Sequence, residues 1–213
     1  MITQKDQDDL FLLIAKKLDA DIACVAFGGT AMMYYDYKQA TKDIDLVFKT
    51  INDRKKFIRA IQSLGYKEKE MLLNIYSKEK RIDTSAPVMY VLKDERFDLF
   101  AESIFKVVVS ETMLKRSSLL KEFKSERASL KIHIISPEDL VLLKALTDRA
   151  NDYEDIKTIL SKKEAFNWEG IIDEALSQKD GWVLLDLEET MKKLVEEGFD
   201  IPKKYFEKLY GKK

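Results

Sequence analysis

A chain of 213 residues with 46% hydrophobic and 35% charged side chains suits one large domain or two small ones built on a real core, and reads as globular. With 37 basic against 38 acidic side chains and a net charge of -1, nothing pulls the whole molecule toward nucleic acid or an acidic membrane, although a local patch is compatible with that balance. The single cysteine, Cys24, cannot form an internal disulfide, no apolar run approaches the roughly 20 residues that span a bilayer, and the charged start MITQKDQDDL lacks the apolar centre of a signal peptide, so a cytoplasmic setting is expected.

Leu10, Leu13, Ile14 and Leu18 predict a helix over residues 6–18 with those four on its inner face. Residues 22–27 form a short apolar run that reads as a buried strand. Gly28, Gly29 and Thr30 then turn the chain into a helix expected from residue 31 to 37, and residues 44–48 predict a second strand. Asn52 is expected to cap the next helix, with Phe57, Ile58, Ile61 and Leu64 inward and Gly65 closing it. Further strands are expected at 88–92, 96–100 and 104–109, and the alternation over 131–135 marks a last one. Ser136-Pro137-Glu138-Asp139 is a helix start, with an N-cap serine, proline at the first helical position and acids in the first turn. Helices follow. The order predicts an α+β class: a mixed sheet flanked by helices over residues 1–135, and a helical C-terminal domain over residues 136–213.

The stretch FGGTAMMYYDYKQATKDIDLVF, residues 27–48, carries the chemistry. Residues two apart on a strand share a face, roughly 6.5 Å apart, so Asp43 and Asp45 project together while Ile44 and Leu46 point the other way. Two adjacent carboxylates resist ionising together unless a cation neutralises them. Hard divalent ions such as Mg²⁺ take oxygen ligands and bridge carboxylates to phosphates, and a metal pair can clamp the attacking and leaving oxygens of a phosphoryl displacement. Gly28 and Gly29 allow close approach of a ligand to the backbone, the following helix start offers free amides to phosphate, and Thr30 adds a hydroxyl. The plainer alternatives are a solvated strand face for the aspartates and an ordinary strand-to-helix turn for the glycines.

Gly28-Gly29-Thr30-Ala31 followed by Thr41-Lys42-Asp43-Ile44-Asp45-Leu46 resembles the nucleotidyltransferase superfamily related to polymerase beta. Its form looks most like the branch containing AbiE-type abortive-infection toxins and uncharacterised relatives. That family requires a third carboxylate on a neighbouring strand, and Asp98 in ERFDLF matches it. The SPEDLVLLKALTDRANDYEDIKTIL segment is similar to the branch's later motifs at Lys144, Arg149, Asp152 and Asp155. The resemblance touches residues 27–48, 96–100 and 136–160.

It implies a nucleotidyltransferase-type sheet in which Asp43 and Asp45 bind two Mg²⁺ ions, with Mn²⁺ as the alternative. Asp98 binds the catalytic ion and helps activate the attacking hydroxyl. Gly28, Gly29, Thr30, Lys144, Arg149 and Asp152 hold the nucleotide. The implied reaction moves a nucleoside monophosphate from a nucleoside triphosphate to an RNA or protein hydroxyl, as the toxin of a pair with an antitoxin partner. The competing readings are a non-catalytic nucleotide-binding or antitoxin-like regulator of the same fold, and hydrolysis instead of transfer.

Lys144, Arg149, Asp152 and Asp155 also read as helix-surface ion pairs, each worth a few tenths of a kcal/mol. His133 reads as structural and Cys24 as core. One of Tyr34, Tyr35 and Tyr37 could stack on a base, although packing on the sheet is the simpler role. Arg54-Lys55-Lys56 reads as a solvated helix face, with phosphate or RNA contact as its alternative.

Overall fold

The structure, a computed structural model, describes residues 1–69, 87–147 and 149–211. In chain order it runs β1 (Ile2–Thr3), α1 (Gln4–Ala15), β2 (Ile22–Ala26), α2 (Gly28–Tyr34), β3 (Ala40–Thr41), β4 (Asp43–Phe48), α3 (Ile51–Ser63), β5 (Lys67–Lys69), β6 (Val88–Leu92) and β7 (Glu95–Ala101). Next come β8 (Ser103–Ile104), β9 (Val107–Val108), α4 (Glu111–Arg116), β10 (Leu119–Lys124) and β11 (Ser129–Ile134). Helices follow: α5 (Pro137–Ala145), α6 (Ala150–Lys162), α7 (Trp168–Ser177), α8 (Trp182–Glu196) and α9 (Lys203–Tyr210).

The main sheet has the order β10-β11-β2-β4-β7-β6-β5. At its centre β4 is antiparallel to β2 and parallel to β7, so the sheet is mixed. This is the α+β architecture expected, with helices against the sheet and a helical run after it. Strand alternation explains how the centre is held. Ile44, Leu46 and Phe48 are fully buried on one face of β4. Phe57 of α3 packs there on Phe48 and Phe97, with ring centres 5.2 and 5.5 Å apart. Burying each such side chain contributes about 1.5–3 kcal/mol. A one-residue slip would turn this apolar set outward, so the hidden face locks the register that groups the residues on the opposite face.

The helical run enters the molecule through α5, every residue of which is buried. The Ser136 hydroxyl caps it, accepting from the Asp139 N–H at 3.2 Å. Arg116 of α4 pairs with Asp139 and with Glu174 of α7, the latter at 2.8 Å. A partly buried cation between two buried acids ties three helices together.

Several local expectations are corrected. On α1 the inner face is Gln7, Phe11, Ile14 and Ala15, whereas Leu13 is exposed; the Thr3–Asp6 capping box starts the helix early. Helix α2 includes the glycines in its first turn and ends at Tyr34. Thr50, not Asn52, caps α3, accepting from the Asp53 N–H at 3.0 Å. The strand expected over 104–109 is instead the hairpin of β8 and β9, turned by Phe105 and Lys106 at φ 48° and 71°. Strands β5 and β10 and helix α4 were not anticipated.

Candidate active site

The open face of β4 and β7 builds the floor of a cleft of about 400 Å³. In the parallel pairing Asp45 lies opposite Asp98, and Asp43 lies opposite Arg96. The three expected carboxylates therefore come together on one face of two adjacent strands, and all line the cleft. Asp98 is almost wholly buried, at 1% exposure, whereas Asp43 and Asp45 are half-buried. Burial first, then the charges of Asp98 and Asp43, push the Asp45 carboxyl up to about 7. Burial also raises Asp43, with Arg96, Lys42 and Arg149 pulling the other way.

The first turn of α2 closes over this floor. The Phe27 N–H donates to the Asp45 carbonyl at 3.2 Å. Gly28 sits at φ +55°, and a Cβ there would run into Asp45 Oδ2, while a Cβ at Gly29 would strike Thr41 Oγ1. Both glycines line the cleft, but Thr30 does not. It is fully buried, and its hydroxyl accepts from the Asp45 N–H at 3.0 Å. Thr30 braces β4 instead of offering a donor to a ligand. The expected helix start beyond the glycines, at Ala31, is likewise replaced by a seven-residue helix that begins at Gly28 itself.

The opposite wall comes from α5, α6 and their connection. Lys144 is buried, and its Nζ donates to Asp152 Oδ1 at 2.6 Å and Asp155 Oδ2 at 2.7 Å. Lys38 reaches the same Asp155 oxygen at 2.6 Å, linking the α2–β3 connection to α6. Asp152 Oδ2 accepts from Arg149 Nε at 2.6 Å and from the Thr147 hydroxyl at 2.7 Å. Burial works to raise the Asp152 carboxyl, but Lys144, Thr147 and Arg149 outweigh it and hold it below its ordinary value. The Lys144 pairs are buried and shared, unlike the helix-surface pairs of the plainer reading, whereas the Arg149–Asp152 pair leaves its guanidinium largely exposed. Arg149 stands at the N-cap position of α6 with 56% of its side chain exposed and lines the cleft.

Sequence reasoning missed Arg96, Lys38 and Thr147. Arg96 was findable, since it stands two residues before Asp98 and must share its face. Its Nη2 lies 2.6 Å from Asp43 Oδ2 and its Nε 2.9 Å from Asp98 Oδ1. None of Tyr34, Tyr35 and Tyr37 lines the cleft; Tyr34 donates to Asp8 at 2.6 Å, and Tyr35 and Tyr37 stack on each other. Arg54 turns inward and donates to the Leu99 carbonyl at 3.3 Å.

The donor set suits a hard dication: three carboxylates on in-register strands, with Asp45 kept from ionising normally by burial first and then by its two acidic neighbours. As the side chains stand, no three acidic, imidazole or thiol groups among the described residues form a ready metal cluster. The Arg96 guanidinium lies between two of the three carboxylates.

A family model described as "Nucleotidyltransferase of unknown function (DUF6036)" matches residues 7–170. The span covers β4, β7, α5 and α6. The solution structure of the antibiotic-resistance factor ANT(2'')-Ia is similar over 72% of this chain and 80% of that chain, at 14% identity and a TM-score of 0.44. At that likeness it informs neither substrate nor mechanism. No curated protein matches the chain.

Proposed function

Because the chain belongs to the DUF6036 family of nucleotidyltransferases of unknown function, we propose that it transfers a nucleoside monophosphate from a nucleoside triphosphate to an acceptor hydroxyl, with divalent cations held at Asp43, Asp45 and Asp98. The observation that carries this reading is the register of β4 and β7, which sets Asp45 against Asp98 beneath the Gly28–Gly29 turn. A divalent ion at these carboxylates, Mg²⁺ or Mn²⁺, would supply positive charge to the phosphate oxygens. The protein's own groups do the rest. Gly28 and Gly29 let the triphosphate approach the backbone. Arg149, oriented by Asp152, offers a planar fork to phosphate. Lys144 supports that wall from behind through Asp152 and Asp155. A carboxylate oxygen of Asp98 takes the proton of the acceptor hydroxyl as its oxygen bonds to the α-phosphorus. The bond from the α-phosphorus to the β-phosphate oxygen breaks, and pyrophosphate leaves.

The finer resemblance to AbiE-type toxins supports an RNA or protein acceptor, and an antitoxin partner, in the cytoplasm. No helix among the described residues is long and apolar enough to cross a membrane. The test is incubation with each α-labelled nucleoside triphosphate, Mg²⁺, and separate RNA and protein fractions of a cell extract, beside an Asp43→Asn/Asp45→Asn control. Label on an RNA or protein band with the native chain only is the expected result. Free monophosphate with no labelled acceptor would replace transfer by hydrolysis. Absence of both products and of triphosphate binding would overturn the enzyme reading.

A further inference from the structure

Arg96 is the residue of the cleft floor that neither the motif pattern nor the proposed chemistry uses. It occupies the same face of β7 as Asp98 and lies opposite Asp43 in the parallel register. Its Nη2 donates to Asp98 Oδ2 at 3.0 Å and lies 2.6 Å from Asp43 Oδ2, while Nε stands 2.9 Å from Asp98 Oδ1 as an ion-pair contact without hydrogen-bond alignment. Three carboxylates gathered on one face repel one another, and this fork bridges two of them. The oxygens it holds are ones a divalent cation would also need. A lone pair pointed at a guanidinium N–H is not at the same time available to a metal.

We propose that Arg96 is an exchangeable counter-ion. It holds Asp43 and Asp98 in place when no dication is bound, and it yields oxygens of both when one arrives. The inference rests on the reading that these carboxylates take a divalent ion. The surroundings allow the exchange, because the Arg96 side chain is 32% exposed and borders the open cleft, whereas Asp98 beside it is buried. The guanidinium can therefore swing toward solvent while the carboxylate stays. Arg96 is in this sense a positioning residue: it sets how costly the carboxylate group is to fill, and it does not itself touch the reacting atoms.

The sign of one measurement separates exchange from simple bracing. A brace, once removed, lets the carboxylates drift and weakens metal binding. A competitor, once removed, strengthens it. The test compares Mn²⁺ binding, by calorimetry and by the Mn²⁺ paramagnetic resonance signal, in the native chain, Arg96→Met and Arg96→Lys, with melting temperatures in chelator alongside. Exchange predicts Mn²⁺ binding tighter in Arg96→Met by on the order of tenfold, the loss of one charge-assisted contact. It also predicts a lower melting temperature in chelator and a larger rise on adding Mn²⁺. Arg96→Lys, which keeps the charge but loses the fork, should fall between the two, and it carries the test if Arg96→Met does not fold. Binding detected only in the variants also supports exchange. Equal or weaker binding in the variants overturns this inference and leaves the transferase reading standing. No binding in any of the three overturns both.

Discussion

Replacing Asp45 by asparagine should raise the stability of the protein in chelator while abolishing nucleotide transfer. The Asp45 carboxyl is pushed from 3.8 to about 7 in the folded chain, so folding at alkaline pH forces a charge into a place that resists it. At about 1.36 kcal/mol per unit, that cost approaches roughly 4 kcal/mol once the pH exceeds both values. Asparagine is neutral like the protonated carboxyl and is desolvated to a similar extent, so that cost cancels, but Asp45 is only half-buried and solvent screens part of the charge cost. The net gain expected is about 1–3 kcal/mol, or roughly 2–12 °C in melting temperature for a chain of this length. The pH dependence has a definite sign. The unfolded carboxyl loses its proton near 3.8 and the folded one keeps it to about 7, so the native chain loses stability as pH rises through that window. The advantage of Asp45→Asn should therefore be small near pH 4 and full by pH 8. Thermal melts of both proteins in chelator across that range read it directly. A variant that melts at or below the native chain at pH 8, or an advantage that does not grow with pH, refutes the argument.

Gly28→Ala places a Cβ against Asp45 Oδ2 at a backbone φ of +55°. It should cost about 1–3 kcal/mol in strain and weaken Mn²⁺ binding in calorimetry; an unchanged melt with unchanged binding would show that the turn is not tight. Lys144→Met leaves Asp152 and Asp155 buried without their shared cation. Arg149 and Lys38 stay paired with these acids, so a loss of about 1–3 kcal/mol is expected in urea unfolding. Combining it with Asp152→Asn and Asp155→Asn should restore much of that loss, because the three groups act as one unit; a triple variant no more stable than Lys144→Met argues against the coupling.

The parts of the fold that were legible from sequence are those where period and punctuation agree. Asp43 to Leu46 alternates acid with apolar residue, so its two faces could be assigned before any coordinates. Ser136-Pro137 announced α5 by cap chemistry alone. Asp98 could be chosen as an acid between apolar neighbours, but its register against Asp45 depends on a parallel pairing between strands some fifty residues apart, which no local pattern encodes. Leu13 and Phe11 compete for the inner face of α1, and tertiary packing chose Phe11. The turn at Phe105 and Lys106 has positive φ at both residues with neither glycine nor asparagine present, so the usual hairpin signal is missing. Thr30 looked like a ligand donor because a hydroxyl after two glycines fits that role. Which way it points is decided by the unpaired amide of Asp45, to which it bonds. Arg96 went unnoticed because charge on a strand face was sought only among acids.

The two walls of the cleft have opposite electrical character. Asp43, Asp45 and Asp98 outnumber Lys42 and Arg96 on the strand side, while Lys38, Lys144 and Arg149 outnumber Asp152 and Asp155 across from them. A guest that carries its own separation of charge, such as a cation chelated by a polyphosphate tail, meets a field with a built-in polarity and can lie in it only one way round. On the proposed function, that polarity would set the direction of attack on the phosphorus before any acceptor arrives.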